Sequence, residues 1–127
     1  MKSLERWAPY GLSILRIVAA LLLIEHGLQK FVGFPSAGPP MTALLWVQAI
    51  IEVVGGILLL VGAYTRPVAF VVCGDMAAAY FIAHFPRSFY PAVNGGDAAI
   101  LYCFIFLYLF LSGAGPWSAD ETLLKRA

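Results

Sequence analysis

The sequence predicts an all-α protein, an integral membrane four-helix up-down bundle, and three observations carry the prediction. Of 127 residues, 61% are hydrophobic and only 12% charged, at a mean hydropathy of +0.86, whereas an ordinary soluble domain carries roughly 25% charged residues. So few charges cannot cover a soluble surface of this size, which makes lipid the expected solvent. Next, four apolar segments each approach the ~20 residues that cross a bilayer as helix. Lastly, these runs are continuous rather than alternating, which argues against barrel strands, and unpaired backbone in hydrocarbon leaves helix as the alternative.

The first segment runs from about Tyr10 to Phe31. Lys2 and Arg6 precede it, as in a signal peptide. The run is too long for a signal core, however, and it ends in charged residues instead of a small-residue cleavage site, so it reads as a retained span. The stretch from Gly33 to Pro40, with Pro35, Pro39 and Pro40, cannot continue a helix. The second segment runs from about Leu44 to Gly62. Thr65-Arg66-Pro67 is then so short a turn that spans two and three must be adjacent and antiparallel. The third covers about Val68 to Phe85, and Pro86 to Gly96 forms a longer loop. The fourth and shortest covers about Asp97 to Leu111, and Trp117 follows as an interfacial anchor. The polar tail, Asp120 to Ala127, is expected to fray. No repeat or second domain is visible, so residues 1–127 read as one four-span domain.

Loop charges set the orientation. Four spans place both termini and the Arg66 turn on one side, with Lys2, Arg6, Arg66, Lys125 and Arg126, against Lys30 and Arg87 on the other. The positive-inside rule puts the richer side, and both termini, in the cytoplasm. With a net charge of +1 there is no basic patch for nucleic acid. Cys73 and Cys103 have neither CxxC nor zinc-ligand spacing and read as inert buried thiols, not as a disulfide.

Polar residues inside apolar spans are costly and usually face a bundle interior or a cavity. This chain places Arg16, Glu25, His26, Gln29 and Lys30 in span one and Gln48 and Glu52 in span two. Asp75 and His84 lie in span three, and Asp97 opens span four. By depth, His26, Lys30, Gln48, Glu52, His84 and Asp97 share the outer half of an up-down bundle. His26 and Lys30 are four apart on one face of a helix, as are Gln48 and Glu52. Gly27 and Gly55-Gly56 allow close approach of neighbouring helices. His26 is expected to meet Glu52 or Asp97. Arg16 lies deeper and is expected to form a structural ion pair with Glu52 or Asp75. Asp75 falls on a different face from His84 and has no assigned partner.

The runs "LRIVAALLLIEHGLQKFVGF", "IIEVVGGILLLVGAYTRPVA" and "AYFIAHFPRSFYPAVNGGDAAILYCFIFLYLFLSGAGPWSAD" resemble the DoxX family of small bacterial membrane proteins, over about Leu15 to Asp120. The markers are Arg16, His26-Gly27, Lys30, Glu52, Gly55-Gly56, Thr65-Arg66, His84 and Gly115-Pro116-Trp117-Ser118. Family members often carry glutamate where this chain has Asp97. The resemblance implies a four-helix protein of the bacterial inner membrane, with links to quinone-coupled sulfur oxidation and to oxidative-stress complexes.

The leading functional expectation is a redox-linked subunit that binds a quinone or similar small polar-headed molecule. Glu52 and His26 would be the catalytic groups, with Lys30, Gln48, His84 and Asp97 as ligand-binding residues. The chain has no dinucleotide fingerprint or cytosolic domain, so electrons would need a protein partner in the membrane. The alternative from another class is a non-catalytic assembly module whose polar core fixes helix register. A haem or metal held by His26 and His84, or by His84 with Glu52 and Asp97, is the weaker idea, because a lone histidine pair is a poor ligand signal. Transport would require a homo-oligomer, since four spans make a thin pathway.

Overall fold

The computed structural model describes residues 1–125, so Arg126, counted above among the cytoplasmic cations, lies outside the described residues. The chain is all-α. Four long helices, α1 (Ala8–Val32), α2 (Ala43–Val61), α3 (Thr65–Ala79) and α4 (Asp97–Ser112), run up and down in sequence. Single helical turns lie at Lys2–Glu5, Pro91–Asn94 and Ala119–Thr122. Beyond Ala79, α3 continues through a π turn, Tyr80–His84, and a 3-10 turn, Phe85–Arg87. Three helical stretches, Ala8–Val32, Ala43–Val61 and Thr65–Arg87, are long and apolar enough to cross a membrane. The 16 residues of α4 rise about 24 Å, short of the ~30 Å hydrocarbon core.

Local chemistry explains the boundaries. Trp7 precedes Pro9 in the first turn of α1, where proline loses no helical hydrogen bond. Thr42 caps α2 by accepting from Leu45 N–H at 3.3 Å. Gly62 ends α2 at φ 73°, a conformation that glycine adopts without strain. The start of α3 has the least local cause. The Asp120 carboxylate accepts from Tyr64 N–H at 2.8 Å and Thr65 N–H at 2.9 Å, so α3 opens at Thr65, three residues before the expected Val68. This also corrects the expectation of a tail that frays from Asp120: that residue is 6% exposed and held against the start of α3, and the exposed tail begins at Glu121.

α1 packs closely on α2, and α3 on α4, while the α2–α3 seam is thinner. A β-carbon at Gly27 would lie 2.5 Å from Val53 Cγ2, and one at Gly56 would lie 2.5 Å from Ile24 Cγ1. Only glycine permits this approach of α1 and α2. The core is Ala20, Leu23, Leu59, Val72, Phe106 and Leu109 with their neighbours. The outward faces carry Ile14, Val18, Phe70, Phe104 and Leu111, each about half exposed or more, as suits a lipid environment. Cys73 and Cys103 are free, and they meet: their sulfurs are 3.6 Å apart on α3 and α4.

Candidate functional site

Two polar constellations occupy opposite ends of the bundle. At the end where α1 finishes and α2 begins, a cavity of about 370 Å³ is lined by His26 and Lys30 from α1, Gln48 and Glu52 from α2, His84 from the π turn and Tyr102 from α4. Leu23, Met76 and Ala99 supply apolar wall.

Glu52 is 2% exposed, and Lys30 Nζ donates to its Oε2 at 2.7 Å. A carboxylate buried this deeply needs a cation and hydrogen-bond donors to offset its desolvation. The close α1–α2 approach at Gly27 brings the two residues together. Lys30, expected among the ligand-binding residues, has its ammonium engaged with Glu52 in the cavity wall.

The two histidines share one device. His26 Nδ1 lies 2.8 Å from Leu22 O, one turn back on its own helix. His84 Nδ1 lies 3.1 Å from Asn94 O. A carbonyl oxygen only accepts, so Nδ1 carries a hydrogen in both rings, and Nε2 of each ring is left for another partner. Tyr102 meets His26 edge-on with ring centroids 5.8 Å apart. His26 shares the cavity with Glu52, but its one hydrogen bond is to its own helix.

Asn94 orders the wall behind His84. It is buried, and its amide donates to Tyr80 Oη at 3.2 Å and Ser88 O at 3.0 Å, while its Oδ1 accepts from Gly96 N–H at 2.8 Å. The Asn94-Gly95-Gly96 run was the available signal. Asp97, expected among the ligand-binding residues and as a partner of His26, is exposed and does not line the cavity. It is the first residue of α4, where a carboxylate favours the helix dipole. Its successors Ala98 and Ala99 face the cavity instead.

Gln48 has a second contact. A smaller void of about 110 Å³ adjoins it, between α2 and α3, and is lined by Asp75 as well. Asp75, left without a partner by sequence reasoning, interacts with the Gln48 side chain and feels the charges of Glu52 and Lys30. Its Oδ2 is buried with no hydrogen-bond partner. Beyond it, an apolar groove of about 340 Å³ follows the α2–α3 seam past Val54, Gly55, Val68 and Val72.

The other constellation surrounds Arg16, which is fully buried. Its guanidinium donates to Leu59 O at 2.8 Å, to Ala114 O and to Trp117 O at 2.6 Å. The expected ion pair with Glu52 or Asp75 is therefore corrected. Arg16 lies ten positions before His26 on α1, about 15 Å along the axis, which puts it at the far end from Glu52. Carbonyls at the end of α2 and in the Gly113–Ser118 loop satisfy its fork of donors. Asp120 is the nearby compensating charge. Ser13 Oγ accepts from Trp117 N–H at 3.1 Å, and Ser118 Oγ donates to Gly115 O at 2.8 Å. This end is a structural knot that sequence reasoning missed, because its acceptors are mostly backbone.

Among the described residues, no group of three or more His, Cys, Asp or Glu side chains is arranged to hold a metal ion. The sequence model of the DoxX family matches residues 11–85. A Haemophilus influenzae protein described as uncharacterized is 42% identical over 137 aligned positions, which cover 99% of this chain and 100% of that relative. A Mycobacterium tuberculosis protein described as an uncharacterized membrane protein is 25% identical over 138 positions, covering 94% of this chain and 85% of the relative. No solved structure matches the chain.

Proposed function

From the premise that this chain belongs to the DoxX family and is a membrane protein, we propose that its polar cavity receives the headgroup of a quinone, or of a similar small polar-headed molecule, and that the chain acts as a redox-linked subunit. The observation that carries the reading is the cavity wall: a Lys30–Glu52 pair whose carboxylate is buried, and two histidines each held at Nδ1 by a backbone carbonyl, in an apolar surround. A quinone needs hydrogen-bond donors for its two carbonyl oxygens as it gains electrons, and groups that exchange protons. Lys30, Gln48 and Tyr102 supply donors. Glu52 and His26 supply proton exchange, and His84 does so from the opposite wall. The apolar groove along the α2–α3 seam suits an isoprenoid tail.

In this reading all four helices span a bacterial inner membrane, with both termini cytoplasmic and the cavity in the outer half. Electrons reach the cavity through a protein partner. The test is binding of a short-chain benzoquinone to the purified protein. Removing one hydrogen bond that involves a charged group costs about 1.5–3 kcal/mol, so Glu52→Gln or His26→Ala weakens binding by roughly tenfold or more. Equal affinity in wild type and both variants overturns the reading.

One observation favours the assembly-module reading. Phe81, Phe85, Phe89 and Tyr90 form a string of ring contacts at 5.8, 6.1 and 5.5 Å, and all four are exposed. Stoichiometric copurification of a partner that is lost in Phe89→Ser, with activity intact in Glu52→Gln, would establish it instead.

A further inference from the structure

Cys73 and Cys103 carry the inference. They are 30 positions apart in sequence, yet their sulfurs lie 3.6 Å apart as free thiols. The contact is made by the docking of α3 on α4, a closely packed pair, and not by a local motif. Both side chains pack against the core that holds Met76 and Phe106. Cys103 directly follows Tyr102, and Cys73 lies one turn before Met76. Tyr102 and Met76 both line the polar cavity, so each cysteine lies within one helical turn of a lining residue without lining the cavity itself.

We infer that Cys73 and Cys103 form a dithiol that a lipid-soluble quinone oxidises to an interhelical disulfide; the choice of acceptor rests on the cavity reading above. Two S–H bonds break and one S–S bond forms. The two electrons and two protons leave the sulfurs and pass to the quinone, whose carbonyl oxygens become the hydroxyls of a quinol. The surroundings select this acceptor. Polar oxidants in water enter an apolar layer poorly. A quinone dissolves in that layer and takes up a proton with each electron. Sulfurs already in contact need side-chain rotation to reach bonding geometry.

The test uses the full chain in liposomes, reduced, freed of reductant and incubated with a short-chain benzoquinone. Thiols are then alkylated under denaturing conditions and counted by mass. The expected result is loss of both alkylatable thiols in a protein that stays monomeric on a non-reducing gel, with quinol formed in equal amount and both thiols restored by dithiothreitol. Cys73→Ser and Cys103→Ser should each keep the remaining thiol. A protein that retains both thiols, or that forms only linked dimers, overturns the inference. Glu52→Gln separates the two claims. Oxidation that persists in this variant keeps the inference and removes the cavity as its route. Quinone binding by a protein whose thiols stay reduced keeps the cavity reading and overturns the disulfide.

Discussion

At the residue scale, the Lys30–Glu52 pair makes the sharpest demand. Glu52 is 2% exposed and its charge is met by a single ammonium. Removing one partner of a buried pair strands the other charge and costs about 3–5 kcal/mol. Lys30→Met should therefore lower the unfolding midpoint in detergent strongly. Lys30→Met combined with Glu52→Gln should recover much of the loss, because the stranded charge is gone. Additive losses in the double variant would show that the two side chains do not depend on one another. The pair was only half legible in the sequence. Depth and helical phase bring both residues to one region, but they pair Lys30 with His26 and Glu52 with Gln48 along each helix and not with each other across helices. Nothing in the one-dimensional pattern shows that Gly27 lets α1 settle against Val53 and Glu52 closely enough for the ammonium to arrive.

At the element scale, each helix is held by partners remote in sequence. The start of α3 is capped by Asp120, 55 residues from Thr65. Losing an N-terminal cap costs about 0.5–2 kcal/mol, and this one accepts two N–H groups with a charge. Asp120→Ala should destabilise by about 1–3 kcal/mol, and amide exchange should rise first at Tyr64 and Thr65. Unchanged protection there would refute the cap. Gly62→Ala should do comparable damage at the same end, since its φ is 73° and a β-carbon would come 2.4 Å from Ser118 Cβ. Gly27→Ala acts at the other end: its β-carbon would meet Val53 Cγ2 at 2.5 Å. It should push α1 from α2 and weaken quinone binding through the displaced Lys30, while Gly74→Ala, with open space around it, serves as the neutral control. The helices themselves were legible to within a few residues, because apolar runs and Pro/Gly breaks are local signals. The π turn at Tyr80–His84 was not: it shifts the phase of His84 relative to a straight helix, and its first and last residues both bond to Asn94, a residue across the loop.

At the scale of the whole molecule, the family markers divide between two jobs. Arg16, Thr65-Arg66 and the Gly115–Ser118 run belong to the knot that ties the chain's end across α1, α2 and α3. Arg66 also donates to Phe110 O at 3.0 Å, at the end of α4. His26, Lys30, Glu52 and His84 surround the cavity at the opposite end. The two sets are not separable in the sequence, since spacing shows that a polar residue is buried but not whether backbone or ligand satisfies it. The division predicts opposite mutant signatures. Arg16→Met should reduce the amount of folded protein and leave the quinone affinity of the surviving fraction unchanged, whereas His26→Ala should leave folding intact and lower affinity. The same polarity of ends gives a topological test. In a variant with Cys73 and Cys103 changed to serine, single cysteines placed at Ser36 and Phe89 should react with an impermeant maleimide added to spheroplasts. Cysteines at Ser3 and Glu121 should react only after permeabilisation. Labelling of Phe89 and Glu121 from the same side would mean that α4, at 16 residues, does not cross the bilayer, and would remove the up-down arrangement on which the outer placement of the cavity depends.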